Sequence, residues 1–266
     1  MTASEAFQAG RLADAVAAAV EQVKAHPADR AKRFFLAELF LFTGELERAD
    51  KQLDVLFGPD APDLMAVTLF RQLVRAETAR REVFTQGRVP EFLGLPSDNI
   101  KQHLEASILF REGKAAAASA LLATAEPTRP AAAGTCDGVA FDDFRDLNDL
   151  TAPVLEVLTA NGNYYWVPTA AVELIEFHPP ARVRDLYWRA AHVVVANGPD
   201  GVVYVPALYH GSHADPRDAI KLGRETDYSG ADDGLFRGVG QREFLVGPEA
   251  KPIMGITKVE FTKAAE

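Results

Sequence analysis

The 266-residue chain is 48% hydrophobic and 25% charged, enough apolar content at this length to bury roughly 70 to 75% of the unfolded surface, which excludes global disorder. Its longest apolar stretch, residues 34–42, is interrupted by Glu38 and falls far short of the roughly 20 residues that cross a bilayer. The net charge of -10 divides into 16 basic against 18 acidic residues before position 131 and 12 against 20 after it, so neither half carries the cationic surplus that nucleic acid or an anionic membrane surface requires.

The length favours two domains, and the single Cys136, with an N-terminus that lacks a basic region followed by an apolar core, makes the cytosol the expected compartment. Residues 12–25 place Leu12, Ala15, Val16, Ala19, Val20 and Val23 on one stripe and predict an amphipathic helix. Residues 30–43 carry Phe34, Phe35, Leu36, Leu39, Phe40 and Phe42 on more than one side, which predicts a helix held between neighbours. Further helices are expected at 46–57, 62–86, 97–112 and 115–125, separated by Gly44, by Gly58-Pro59, by the segment 90–96 and by Gly113.

The glycines set a period. Gly10, Leu12 and Ala15 recur 34 residues later as Gly44, Leu46 and Ala49, and again as Gly113, Ala115 and Ala118. Pro27, Pro62 and Pro130 follow the three glycines by 17, 18 and 17 residues. This pattern resembles the tetratricopeptide repeat, in which a glycine turns between paired helices and a small residue lies where they cross. The step from Gly44 to Gly113 is 69 residues, close to two periods, so the long helix after Pro62 stands in for a degenerate repeat. A generic antiparallel bundle is the alternative.

Residues 126–134 combine two prolines with small residues and read as a linker between a helical domain at 1–128 and a second domain at 136–266. Packing little, the linker leaves the halves semi-independent. Beyond it the texture is that of strands. Residues 154–159 and 164–167 flank Asn161-Gly162 and predict a hairpin, and residues 192–196 and 202–205 predict a second across 197–201. Late strands are expected at 243–246 and 256–262, and short helices at 168–174 and 215–223. The fold class is α+β: an N-terminal all-α repeat domain followed by a mainly antiparallel α+β domain.

The candidates for chemistry are weak. His210, His213 and Asp215 could ligate a metal, but the histidines sit three apart in a Gly-Ser loop, and no metal or cofactor is expected. Residues 231–234 lack the alternating oxygen ligands of a calcium loop and read as a turn. Cys136 lies beside Asp137, whose charge raises a thiol pKa, so no nucleophile is assigned. Gly198 to Gly201 and Gly238 to Gly240 read as turns, and Trp166 and Trp188 as core anchors. The run Arg71, Arg75, Arg80 and Arg81 is either a solvated face or the lining of a groove for an acidic partner. Because the large side chains of the second predicted helix exceed what one stripe can hide, Phe35, Leu39 and Phe42 are candidate partner contacts, with Arg71 and Arg75 as rim charges.

Six strings occur in order in the second half: Phe141-Asp-Asp-Phe-Arg145, Gly162-Asn-Tyr-Tyr-Trp-Val-Pro168, Arg184-Asp-Leu-Tyr-Trp188, Tyr204-Val-Pro-Ala-Leu-Tyr209 with Gly211-Ser212, Leu222-Gly-Arg-Glu-Thr-Asp-Tyr228, and Gly240-Gln-Arg-Glu-Phe-Leu-Val246. Behind a repeat-like helical half they resemble the ImpE/SciE family, the TagJ accessory proteins of bacterial type VI secretion. Tyr228 stands where the family often has Trp. The resemblance implies a cytoplasmic, non-enzymatic protein that binds the N-terminal helical segment of the small contractile-sheath subunit, and through that sheath is linked to a ClpV-type unfoldase. The strings themselves read as structural: Gly162 in a turn, the tryptophans as anchors, and Arg224 with Asp227 as a buried ion pair. A generic repeat adaptor for another protein, or a ligand-binding or hydrolytic second domain, are the alternatives.

Overall fold

A computed structural model of the chain describes residues 1–58, 62–230 and 234–262. The helical half runs α1 (Ala3–Gln8), α2 (Leu12–Ala25), α3 (Arg30–Phe42), α4 (Leu46–Asp54), α5 (Leu64–Gln86), α6 (Asp98–Arg111) and α7 (Ala115–Ala125). Helix starts follow the sequence: Thr2 and Glu5 form a capping box on α1, Asp29 caps α3 and Ser97 caps α6. Gly10, Gly44 and Gly113 turn α1 into α2, α3 into α4 and α6 into α7 at φ of +76°, +78° and +77°. This left-handed conformation is nearly free for glycine and strained for other residues. Ala15, Ala49 and Ala118, the small residues of the period, are fully buried. Three hairpins therefore keep the expected repeat.

α5 does not. One period beyond Gly44 the sequence has Thr78, and the helix runs straight through it for 23 residues, about 34 Å, to Gly87. It is a repeat's first helix without the second. The reason lies in its last three turns, where Glu77, Arg80 and Val83 are buried and Glu77 and Arg80 bond to the second half. Of the expected separators, Pro59 lies outside the described residues.

The second half contains β1 (Gly134–Cys136), β2 (Val139–Phe141), β3 (Phe144–Asp146), β4 (Val154–Leu158), β5 (Tyr164–Pro168), β6 (Val172–Phe177), β7 (Trp188–Val195), β8 (Asp200–Pro206), the short helix α8 (Asp218–Lys221), β9 (Thr226–Ser229), β10 (Arg237–Gly240), β11 (Glu243–Val246), β12 (Glu249–Pro252) and β13 (Lys258–Phe261). An antiparallel sheet in the order β2-β1-β13-β6-β7-β8-β4-β5 dominates, with smaller sheets β12-β11-β3 and β10-β9. Both expected hairpins are present. Val154 pairs with Pro168 and Leu158 with Tyr164 across the turn at Gly162, and β7 pairs with β8 across 196–199. The α+β class and its mainly antiparallel second half are as the sequence predicts.

Three local expectations fail. Residues 172–174 belong to strand β6, not a helix, because its aliphatic residues pair with β7 through a bulge between Val172 and Leu174. Gly238 and Gly240 lie within β10, where a side chain on Gly238 would strike the Tyr209 ring. The segment after α7 is no loose linker: Arg129 bridges Glu126 and Asp143, Ala132 is buried, and β1 begins two residues later. The turn expected at 231–234 lies, except for Gly234, outside the described residues.

One core joins the halves. Leu36, Phe40, Phe42, Phe70 and Leu73 of the helices pack in a single buried cluster with Val154, Tyr164, Trp166, Tyr187, Trp188 and Leu208. The 3₁₀ turn at Val183–Leu186 is wedged against the helices, with Arg184 bonded to Glu38 and the Phe42 ring set edge-on to Tyr187 at 5.4 Å. A second cluster, built from Leu155, Val157, Ile175, Val193, Phe244 and Val259, fills the β half.

Candidate functional site

Two features stand out once the side chains are placed: a buried charge network between the halves, and an open groove on the helical half.

The network centres on Arg80, which is 2% exposed. Its Nε donates to Glu156 Oε1 at 2.8 Å, Nη1 to Glu77 Oε1 at 3.2 Å, and Nη2 to the Leu208 carbonyl at 3.1 Å. Arg242 closes it from the other side by pairing with both Glu156 and Asp146. Glu77 also accepts from Trp188 Nε1 at 3.1 Å and from the Tyr187 hydroxyl at 3.3 Å, while Trp166 Nε1 donates to the Tyr164 hydroxyl at 2.6 Å. Burial alone would raise the Glu156 carboxyl, but the charges of Arg242 and Arg80 outweigh it and hold the group below the usual carboxylate range. Asp146 is dominated by burial, which pushes it up to about 6. The adjoining cavity, lined by Glu77, Arg80, Tyr187 and His210, is only about 10 Å³, room for about one water. These charges are spent on one another and on backbone, so the network ties α5 to the sheet.

Two of the expected basic residues are consumed here. Arg80 is in the network, and Arg81 donates to the Gly44 carbonyl at 2.6 Å and to the Tyr187 hydroxyl. The histidines of the 210–215 loop lie alongside. His210 stacks on Phe84 at 4.6 Å, His213 lies against Gly44, and Asp215 faces Arg217 instead. Burial lowers both imidazoles, His210 to about 3. Arg224 does not pair with Asp227. It reaches the Phe7 and Gln8 carbonyls at the tip of the first hairpin, and Asp227 is held by Arg217 at the surface. Cys136 is buried, and burial followed by the Asp137 charge pushes its thiol up.

The groove, about 870 Å³, runs between α4 and α5. Leu46, Val74 and Ala79 line its floor, Phe57 one end, and Glu47, Asp50, Lys51, Arg71, Arg75, Glu82 and Arg88 its walls. Arg71 and Arg75, the expected rim charges, both face it. Arg71 donates to Asp50 at 2.8 Å and to Asp54 at 2.8 Å and lies over the Phe57 ring, whereas Arg75 is exposed and makes no ion pair among the described residues. The apolar candidates are elsewhere. Leu39 and Phe42 are 0% exposed in the shared core, and Phe35 is half-buried, edge-on to Phe7 at 6.1 Å. The excess of large side chains on α3 is absorbed by α1 and by residues 183–188, contacts of high sequence separation that periodicity could not show. The groove itself had a sequence signal, the missing glycine near position 78. The network had one too: Glu156 sits alone in an aliphatic strand, where an unpaired carboxylate would be costly.

The comparisons with known proteins agree with this architecture. A family model described as ImpE protein matches residues 138–260. The type VI secretion system accessory component TagJ of Pseudomonas aeruginosa is 35% identical over 261 residues, covering 98% of this chain and 91% of TagJ. The crystal structure of a Vibrio parahaemolyticus protein, 27% identical, superposes with a TM-score of 0.91 over 98% of each chain. No helix among the described residues is long and apolar enough to cross a membrane. With the helical repeats, the mainly antiparallel second half and a full-length relative in agreement, the chain belongs to the ImpE family of TagJ-type proteins.

Proposed function

We propose that this chain is an accessory component of a bacterial type VI secretion system that acts in the cytoplasm by binding, not catalysis, and that its helical half takes the N-terminal helical segment of the small contractile-sheath subunit. Through that sheath it is linked to a ClpV-type unfoldase. The observation that carries the reading is the 35% identity to TagJ across nearly the whole chain, which extends over both the helical half and the sheet. Two further points support it. A row of helix hairpins presents an extended face suited to a helical ligand, and the buried charges between the halves are paired with one another at a site with room for about one water.

The same reading proposes Arg71 and Arg75 as partner contacts and gives Phe35, Leu39 and Phe42 an indirect part as the packing that holds α3 beneath the array. Co-purification of the full chain with the small sheath subunit from the same gene cluster is the test. A stable complex that is lost when the sheath subunit's N-terminal segment is deleted is the expected result. A complex unaffected by that deletion, or none at all, would overturn the reading.

A further inference from the structure

We infer that the cavity between the α6–α7 hairpin and the second half is a binding site for a small neutral molecule whose edge carries a hydrogen-bond donor beside an acceptor, of the carboxamide or lactam kind. It shares no lining residue with the α4–α5 groove, so it stands apart from the partner reading above.

His103 carries the inference. It lies in α6, is 2% exposed, and neither Nδ1 nor Nε2 has a hydrogen-bond partner among the described residues. Burial lowers its pKa to about 4, so the imidazole is neutral at pH 7, and one ring nitrogen donates while the other accepts. Two unmet polar atoms on one buried side chain are costly, and a folded protein keeps them only for a reason. The reason is the cavity that His103 lines, about 210 Å³, which takes several waters or one molecule of a single ring.

The remaining walls set the chemistry of the occupant. Leu122, Ala152 and Leu235, all buried, supply apolar contact for a ring. Arg145 and Asp149 line the polar side, with Nη1 standing 3.6 Å from Oδ1, wider than a hydrogen bond. Asp149 Oδ2 already accepts from the Phe236 backbone N–H at 2.7 Å, which leaves Oδ1 to accept from a ligand. Glu126, exposed at the mouth, is engaged through both oxygens by Arg129. The charges therefore balance within the site, Arg145 against Asp149 and Arg129 against Glu126. A cationic ligand would meet Arg145, and an anionic one would meet Asp149 and Glu126. A neutral amide edge meets neither penalty: its carbonyl accepts from Arg145 or from the His103 N–H, and its own N–H donates to Asp149 Oδ1 or to the second His103 nitrogen.

The test uses the full chain and three probes of nearly equal shape, benzamide, benzoate and benzamidine, each at millimolar concentration, read by saturation-transfer NMR and by thermal melting. Benzamide should bind saturably and, at tenfold above its Kd, raise the melting temperature by about 3 °C or more. Benzoate and benzamidine should bind at least tenfold more weakly. His103→Phe, which keeps a ring and removes both nitrogens, should abolish benzamide binding. Ala123→Phe, at an exposed position that lines the cavity, should do the same by filling it, and keeps the test open if the His103 variant melts early. Lys101→Glu, exposed on α6 and outside the cavity, should leave binding unchanged. Binding of benzoate or benzamidine as tight as that of benzamide would overturn the neutral ligand class. Benzamide binding that survives both cavity variants would place it elsewhere and overturn the site. Binding of none of the three would mark the cavity as a place for water only and overturn the inference.

Discussion

Arg80 of α5 and Glu156 of β4 meet at 2.8 Å, with 2% and 1% of their side chains exposed, and so join residues 76 positions apart across the boundary between helices and sheet. A buried pair of this kind contributes little compared with a well-packed apolar pair, but removing one partner strands the other. Glu156→Gln would leave Arg80 and Arg242 facing each other with no carboxylate between them. We expect it to cost about 3 to 5 kcal/mol, read as a drop in the urea midpoint with an unchanged slope. A loss below about 1 kcal/mol would mean that the network is solvated.

The same interface bears on the proposed division into domains at 1–128 and 136–266. The two are distinct in secondary structure, but the cluster holding Phe42 and Phe70 also holds Trp166 and Trp188, and Glu77 accepts from the Trp188 indole. A chain ending at Arg129 would expose that apolar surface and leave Glu77 and Arg80 without their partners. We expect it to be aggregated or molten by circular dichroism and dye binding. A soluble fragment with a cooperative melt would show that the helical domain stands alone.

Acid should destabilise the protein well above the usual carboxylate range. Burial lowers His210 to about 3 and His103 to about 4, while both titrate near 6.5 when unfolded. Over that window the unfolded chain binds more protons, so the stability contributed by the neutral imidazoles is present above about pH 6.5 and is lost as the pH falls. Asp146, raised to about 6 by burial, acts in the opposite direction, as do Glu38 and Asp149, whose carboxyls burial also raises, while His213, lowered by burial, acts with the other two imidazoles. A net loss of about 2 to 3 kcal/mol between about pH 7 and about pH 5 is expected in chemical denaturation. Replacing His210 by Phe, which keeps the stack on Phe84, should shrink that loss.

Gly44 tests the link between a repeat turn and the second half. Its φ is +78°, and a Cβ placed there would strike the His213 ring, closer than real Cβ atoms come. Gly44→Ala should therefore cost about 1 to 3 kcal/mol, more than the same change at Gly113, which has a similar φ but open space around it. Equal losses at the two sites would show that His213 yields freely.

What the sequence alone determined was local and periodic. Helices α2 to α7, the three glycine turns with Ala15, Ala49 and Ala118 at the crossings, and the hairpin around Gly162 depend on contacts within a few residues or on a fixed repeat, and these were legible, whereas α1 was not. So was the family, because six strings held their order. The tertiary structure alone decided which side chains those elements spend on each other. Leu39 and Phe42, read as partner contacts, are taken by the core, and Arg224 is drawn to the first hairpin instead of Asp227. Arg80 and Arg75 belong to one basic run on one helix, yet Arg80 is enclosed by Glu156, Glu77 and the Leu208 carbonyl while Arg75 faces an open groove. Charge and spacing are properties of the segment, but burial depends on what arrives from 76 or 128 residues away, and no local pattern encodes that.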